Sequence, residues 1–407
     1  MKVLVVAVLG SLRGGTAVRL ALTVEALARL ADVHLFVVTE EDQSGPVPGA
    51  DHAVRVGTAH RRRPGLWAQA LRWTTRPALP DHLARLDLDP AADALRAFAP
   101  PDRELTWLCK PDSWLLARTA GVLWPTTICD IDDLDDDGLR SMAALRTADV
   151  APPPEFTGAA GSLRLLRARV DASRWRSFRE TVAARAFTVV CSEFDRARSG
   201  LASAAVVPNG YPAPGAPSPA EPPAAAATTT AVFVGSFHYL PNLDAARWMA
   251  KAIAPELRRL DPSATLRLVG DGPPEMSRLA RVDGVSWTGA VADTGPELRG
   301  ASVALVPLRA GSGTRVKILE AWAHGVPVVS TPLGAEGLDA HDGEDLLLAA
   351  GAPALAAAVH ALRDDDALRR RLVEAGTRRW LAHHSPDAVA EAVASVVRGA
   401  LQSAGRP

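Results

Sequence analysis

Pro307-Leu-Arg-Ala-Gly311-Ser-Gly313-Thr-Arg315-Val-Lys317-Ile-Leu-Glu320-Ala-Trp-Ala-His-Gly325-Val-Pro327-Val-Val-Ser-Thr331 reads as strand end, glycine loop, helix and strand in one unit. The run from Ala301 into Pro307 is short, apolar and rich in valine, the pattern of a strand covered on both faces of a parallel sheet. Gly311 and Gly313 supply a loop, and Thr314 offers a cap for a helix. Residues 315–323 keep helical spacing, Gly325 ends the helix, and Val326 to Ser330 form the next strand. Such a loop aims backbone N–H groups and the positive end of a helix at one spot, which suits a phosphate. Arg315 and Lys317 fall in the first turn of that helix, with Glu320 one turn further in.

The length of 407 residues calls for more than one domain, and an apolar share of 48% allows large cores. With 45 basic and 46 acidic residues the formal net charge is -1, which argues against a general nucleic-acid binder. Cys109, Cys129 and Cys191 are far apart and follow apolar residues, as buried thiols of a cytoplasmic protein do; they have neither a disulfide framework nor zinc spacing. The opening Met1-Lys-Val-Leu-Val-Val-Ala-Val-Leu9 is too short in its apolar core for a signal peptide and reads as a strand. No run approaches the roughly 18 apolar residues of a membrane span. The expected location is cytoplasmic, with contact at a membrane surface left open.

Lys2 to Leu9 is a buried strand that ends in a glycine loop around Gly14 and Gly15. Thr16 is placed to cap a helix with Val18, Leu22, Leu27 and Leu30 on one side, and Val33 to Val38 is the next strand. This is how a doubly wound α/β domain begins. The glycine spacing is not that of a dinucleotide loop. Gly14 and Gly15 read equally well as a tight turn and as a loop admitting a phosphate or sugar. From Ala59 to Arg103 a basic stretch with Trp67 and Trp73 is balanced by Asp81, Asp87, Asp89 and Asp93, so a solvated helical face or an acceptor-side wall is expected. Strand Leu105 to Cys109 delivers Lys110 to its carboxyl end, and strand Thr126 to Cys129 runs into Asp130-Ile-Asp-Asp133-Leu-Asp-Asp-Asp137. Six carboxylates in eight residues invite a metal, but the glycine and terminal glutamate of a calcium loop are missing. A loop with one or two functional carboxylates, Asp130 and Asp133 first, is the preferred reading, without a metal.

A long helix over Leu163 to Arg185 carries Trp175 and Phe178 on its apolar side, and Val206-Val-Pro-Asn-Gly210 closes the first half. Residues 211–230, rich in Pro, Ala and Thr, mark a linker. The α/β pattern then restarts at Ala231, giving domains 1–210 and 231–386, with an amphipathic segment 387–404 able to pack back on the first domain. Two such halves are expected to face each other across a cleft.

The stretch from Gly311 to Thr331 resembles the donor-site signature of group 1 (family 4) retaining glycosyltransferases. The likeness extends to Val207-Pro-Asn-Gly210, to Phe233-Val-Gly235 with Pro241-Asn242, and to Val269-Gly-Asp-Gly-Pro273. The Ile128-to-Asp137 region looks most like bacterial exopolysaccharide-type sugar transferases. The resemblance implies a GT-B fold of two Rossmann-like domains and a nucleotide-diphosphate sugar as donor substrate, with no further cofactor. Carried over by position, Glu320 would accept from the donor ribose hydroxyls, and the N–H groups near Val316 and Lys317 would hold the diphosphate. Ser312 stands where the family has a first Glu that contacts the donor sugar. Ser236 and Asn242 stand where many members carry an Arg and a Lys; Arg315 and Lys317 are the nearby replacements. Gly235, Ser236, Gly270, Asp271, Val291, Ser312, Gly313, Thr314 and Val316, with Gly14 and Gly15, complete the implied donor site.

Departure of a nucleoside diphosphate builds negative charge, which placed cations and helix N–H groups stabilise without a metal. The catalytic candidates are therefore Arg315, Lys317 and Glu320; Lys110, Asp130 and Asp133 are acceptor-side candidates. The expected function is transfer of a sugar to a hydroxyl acceptor on a polysaccharide, a lipid-linked glycan or a natural product. A non-catalytic nucleotide-sugar binder and a nucleotide-sugar 2-epimerase are the alternatives.

Overall fold

The computed structural model describes residues 1–12, 14–40, 45–61, 78–123, 126–132, 134, 141, 158–214, 229–312 and 315–405. They form two compact units, Met1–Gly210 with Pro386–Pro407, and Tyr211–Ser385. Most of the segment read as a linker, residues 215–228, lies outside the described residues.

In the first unit seven parallel strands lie in the order β3-β2-β1-β4-β5-β6-β7. They are β1 (Lys2–Val8), β2 (Asp32–Glu40), β3 (Arg55–Arg61), β4 (Leu105–Cys109), β5 (Thr127–Ile131), β6 (Phe187–Val190) and β7 (Ala205–Val206). The chain starts at the centre, winds outward through β2 and β3, and returns to wind the other way from β4, the doubly wound topology. Alternation along β1 explains its unbroken apolar run. Val3, Val5 and Ala7 join one core with Leu20, Val24 and Leu27 of helix Gly15–Ala28. Leu4, Val6 and Val8 join another with Leu95, Trp114, Trp175 and Phe178. The C-terminal helix Pro386–Ser403 adds Val389, Val393, Val396 and Val397 to the first of these cores, and Asp387 pairs with Arg29 at 2.7 Å. Cys109, Cys129 and Cys191 are free and buried, and burial holds each thiol well above its ordinary pKa.

The second unit repeats the plan with six parallel strands in the order β10-β9-β8-β11-β12-β13. These are β8 (Thr230–Val234), β9 (Thr265–Val269), β10 (Val285–Trp287), β11 (Val303–Val306), β12 (Val328–Ser330) and β13 (Leu347–Leu348). Helix Val316–Ala323 crosses from β11 to β12. Its buried Trp322 donates to the Asp345 carbonyl at 3.2 Å and lies flat on Gly376, where an added Cβ would fall 2.3 Å from the indole Cδ1. That contact fixes the helix that has Arg315 at its cap position and Lys317 in its first turn. Among the described residues, no helix is long and apolar enough to cross a membrane.

Three local expectations change in detail. The stretch from Ala59 to Arg103 was expected to be a solvated helical face or an acceptor-side wall; its described part opens as the end of edge strand β3 and goes on to helices Asp81–Arg85 and Asp89–Phe98. Short β-branched and small residues favour the strand, and Arg55 covers the Phe98 ring at 4.9 Å. Arg62, Arg63, Trp67 and Trp73 lie outside the described residues. Thr16 does not cap its helix; Gly14 takes the cap position, and the Thr16 hydroxyl reaches Asp132 at 3.3 Å. Asp130, read as an accessible loop carboxylate, is the fourth residue of β5 and 1% exposed, because the strand runs two residues further than expected.

Its partner is Arg19, itself 5% exposed, whose guanidinium bridges both Asp130 oxygens at 2.6 and 2.8 Å. Arg19 also donates to the Val207 carbonyl at 3.1 Å and to Asn209 Oδ1 at 2.8 Å. Arg19→Met leaves a buried carboxylate without its cation and is expected to lower stability by about 3–5 kcal/mol. Urea unfolding of the full chain measures this, and the double variant Arg19→Met/Asp130→Leu is expected to recover most of the loss. A single variant as stable as the wild type would show that the pair contributes nothing.

Candidate active site

In a doubly wound sheet, ligands settle outside the carboxyl ends of the strands, where the winding changes direction. In the second unit that point lies between β8 and β11. Gly235 and Ser236 follow β8, Gly270 and Asp271 follow β9, and the loop from Pro307 leads out of β11 into the helix at Val316. The ends are stitched by backbone hydrogen bonds from Gly235 to Val269 at 2.9 Å and from Phe237 to Asp271 at 2.7 Å. Gly270 has φ 132°, and a Cβ there would sit 2.2 Å from the Gly235 carbonyl oxygen, so the two turns touch through bare backbone.

Arg315 occupies the cap position before helix Val316–Ala323 and is 6% exposed. Its Nη1 donates to the Ser312 carbonyl, while Nε and Nη2 are buried and have no hydrogen-bond partner among the described residues. Ser312, where a carboxylate would be expected by resemblance, therefore gives Arg315 a carbonyl oxygen and no charge. Lys317 extends toward β8. Its ammonium lies 5.2 Å from the centre of the Phe233 ring and donates to Asn242 Oδ1 at 3.1 Å, and Asn242 Nδ2 donates to the Ser236 carbonyl at 2.8 Å. Lys317, Asn242 and Ser236 thus form one chain of contacts, with a lysine from the β11–β12 crossover placed beside the turn after β8. No acidic group among the described residues pairs with either cation. Burial first, and then the neighbouring Arg315, bring the Lys317 pKa down to about 8, against an opposing pull from Glu320.

Glu320, 8% exposed, accepts on one oxygen from the Tyr211 hydroxyl at 2.9 Å and from the Thr294 hydroxyl. Burial raises the pKa of the carboxyl, and those two hydroxyls oppose the rise. Val291 is partly buried against the core of the unit, and Asp271 is exposed 3.9 Å from His238. Val316 is the first residue of the helix. Gly313 and Thr314 lie outside the described residues.

The first-unit candidates gather at the carboxyl ends of the neighbouring strands β1, β4 and β5. Gly14 is exposed at φ 88°, with Gly15 opening the helix. Lys110, at φ 72° before helix Pro111–Ala120, donates its N–H to the Asp130 carbonyl at 2.9 Å. Asp130 itself is consumed by Arg19, and Asp133 lies outside the described residues. Asp132 at this edge keeps some surface, 13% exposed beside Thr16 and Asn209. Sequence reasoning missed Asp132, Tyr211 and Thr294. Asp132 shares the parity of Asp130 and lies just past the end of β5, where it meets Arg19 at 3.7 Å and keeps some surface; Tyr211 and Thr294 gave no signal.

Residues 228–365 match the family described as glycosyl transferases group 1. A search of the curated proteins finds no match. Among solved structures, HepE of Anabaena, crystallised with UDP and glucose, shares 13% identity over 97% of this chain and 99% of its own, with a TM-score of 0.66. Sucrose-phosphate synthase of Thermosynechococcus elongatus shares 17% over 98% and 99%, also with a TM-score of 0.66. A glycosyltransferase of Rickettsia africae shares 11% over 98% and 99%, with a TM-score of 0.63. At these identities the structures establish the fold, a GT-B arrangement of two doubly wound sheets. The group 1 glycosyl transferase match lies within the second unit, and the GT-B fold is shared along the whole chain.

Proposed function

We propose that the protein is a retaining, metal-independent hexosyltransferase that moves a sugar from a nucleotide-diphosphate sugar to a hydroxyl acceptor. The observation that carries this is a pair of neighbouring cations, buried Arg315 and half-buried Lys317, with two guanidinium nitrogens that lack a hydrogen-bond partner and no carboxylate paired with either cation among the described residues. Burying charge is costly unless a counter-charge arrives, and a diphosphate supplies two. The complexes of HepE with UDP and with UDP-glucose support a nucleotide-sugar donor.

In this reading the diphosphate lies against Arg315, Lys317 and the N–H groups at the start of helix Val316–Ala323, and Glu320 takes the ribose. Gly235 and Gly270 let the donor approach the backbone. The bond from the anomeric carbon to the β-phosphate oxygen breaks as the acceptor oxygen bonds to the same face of that carbon. The acceptor proton passes to the departing phosphate oxygen, so no protein base is required. The two cations stabilise charge that grows on the phosphate, which is why their effect falls on turnover as well as on binding.

Arg315→Ala is expected to cost on the order of 3 kcal/mol of barrier, about a hundredfold in turnover. The assay is release of nucleoside diphosphate from a broad panel of donors with candidate hydroxyl acceptors. Binding with no turnover on any donor would instead favour a non-catalytic binder, and turnover of donor without acceptor a 2-epimerase.

Ionisation of Lys317 gives a second prediction. The ammonium is charged below about pH 8 and discharges above it. Affinity for a nucleoside diphosphate is therefore expected to be level below pH 7 and to fall as pH rises through about 8. The charged groups bearing on Lys317 are Arg315 and Glu320, both on its own segment; β8 presents Phe233, and Asn242 is neutral. Calorimetry across this range should show the bend in wild type and none in Lys317→Met. A bend that survives in Lys317→Met assigns it to another group.

A further inference from the structure

We infer that Tyr211 is a positioning residue for Glu320: held by its own backbone, its phenol fixes one carboxylate oxygen so that the other is presented to the ribose hydroxyls of a nucleoside diphosphate. This rests on the donor-site reading above and adds a residue to it.

Tyr211 is the first residue of the second unit, directly after Gly210, and the chain leaves that unit at Ser385. The two places are tied together. The Tyr211 N–H donates to the His384 carbonyl at 3.0 Å, and the Trp380 indole N–H donates to the Tyr211 carbonyl at 3.1 Å. The ring meets the edge of His324 at a centroid distance of 6.2 Å, just past the end of the helix that bears Glu320. With its backbone gripped on both sides and its ring packed, the phenol has little freedom, and its hydroxyl donates to Glu320 Oε1 at 2.9 Å. Thr294 donates to the same oxygen. Oε2 accepts no hydrogen bond from the described residues.

An ionised carboxylate has about four acceptor positions, and two donors on one oxygen leave the other oxygen free for two hydroxyls of a diol. The same two donors favour the ionised, accepting form of Glu320 and oppose the rise that burial imposes on its pKa. Tyr211, half-buried beside that carboxylate, has its own pKa raised and stays a donor. A carboxylate held in place before the ligand arrives loses less freedom on binding than a free one. Tyr211 is thus expected to act on the sugar of the nucleotide and not on its phosphates.

The test uses the full chain in calorimetry. UDP, GDP and ADP are titrated, and the tightest binder is paired with its 2′-deoxy form. Tyr211→Phe is expected to weaken the ribonucleotide about five- to tenfold and the 2′-deoxy form by less than about twofold, so that the ribose preference shrinks. Trp380→Phe, which removes the indole donor to the Tyr211 carbonyl while leaving the phenol intact, is expected to shift the preference the same way. Glu320→Ala separates the two readings. If it keeps the ribose preference, Glu320 does not read the ribose, and if no diphosphate binds the wild type, the donor site itself is wrong. If Glu320→Ala erases the preference but Tyr211→Phe leaves it whole, positioning by Tyr211 is overturned. Tighter ribonucleotide binding by Tyr211→Phe overturns it as well, since the phenol would then compete with the ribose.

Discussion

Arg315 and Lys317 place two positive charges two residues apart where the protein excludes much of the surrounding water. Neither meets a carboxylate, and part of the Arg315 guanidinium meets no acceptor at all among the described residues. A fold tolerates this only when the rest of the structure holds the charges in place. Trp322 against Gly376 anchors the helix, Asn242 accepts from the ammonium, and the Ser312 carbonyl takes one guanidinium nitrogen. The unmet remainder is the feature on which the proposed diphosphate site rests. The glycine turns after β8 and β9 are compatible with that site, because they leave only backbone at the strand ends where an anion with a sugar attached must approach.

The two units solve the same topological problem with opposite electrostatics. In each, a helix entered from the carboxyl end of a central strand brings a buried arginine to the place where ligands bind in doubly wound sheets. In the first unit Arg19 is paired: Asp130 accepts from Nε and Nη2, and the Val207 carbonyl and Asn209 accept from Nη1. That charge is paired with a buried carboxylate and ties β5 to helix Gly15–Ala28. In the second unit Arg315 is left unsaturated. The difference, a buried arginine paired with a carboxylate in one unit and one without such a partner among the described residues in the other, is physical and needs no reference to any relative.

Much of the fold was legible in the sequence because its signals are local. The apolar run of β1 and the valine-rich run before Pro307 each declared a strand buried on both faces, and the helix from Val316 followed from spacing and from Gly325. Boundaries were less legible: β5 runs on to Ile131, which converts Asp130 from loop to core. The side-chain contacts of the site could not be read at all, since the partners are far apart along the chain. Tyr211 and Glu320 are separated by 109 positions, Asn242 and Lys317 by 75, and Arg19 and Asp130 by 111. Only the winding of the sheets brings them together, and no spacing rule encodes it.

Tyr211 shows why composition misleads at such a place. Its neighbours in sequence are prolines and alanines that read as connecting chain, and the residues from 215 to 228 lie outside the described part. Yet its backbone is bonded to His384 and Trp380, the turn through which the chain leaves the same unit. A connection that had only to span a distance would not need both its amide and its carbonyl engaged. The double grip makes sense if the side chain must be held to within hydrogen-bond tolerance of Glu320. A carboxylate on a rigid helix is of use for recognition only when its free oxygen points in one direction, and the Tyr211 and Thr294 hydroxyls together define that direction.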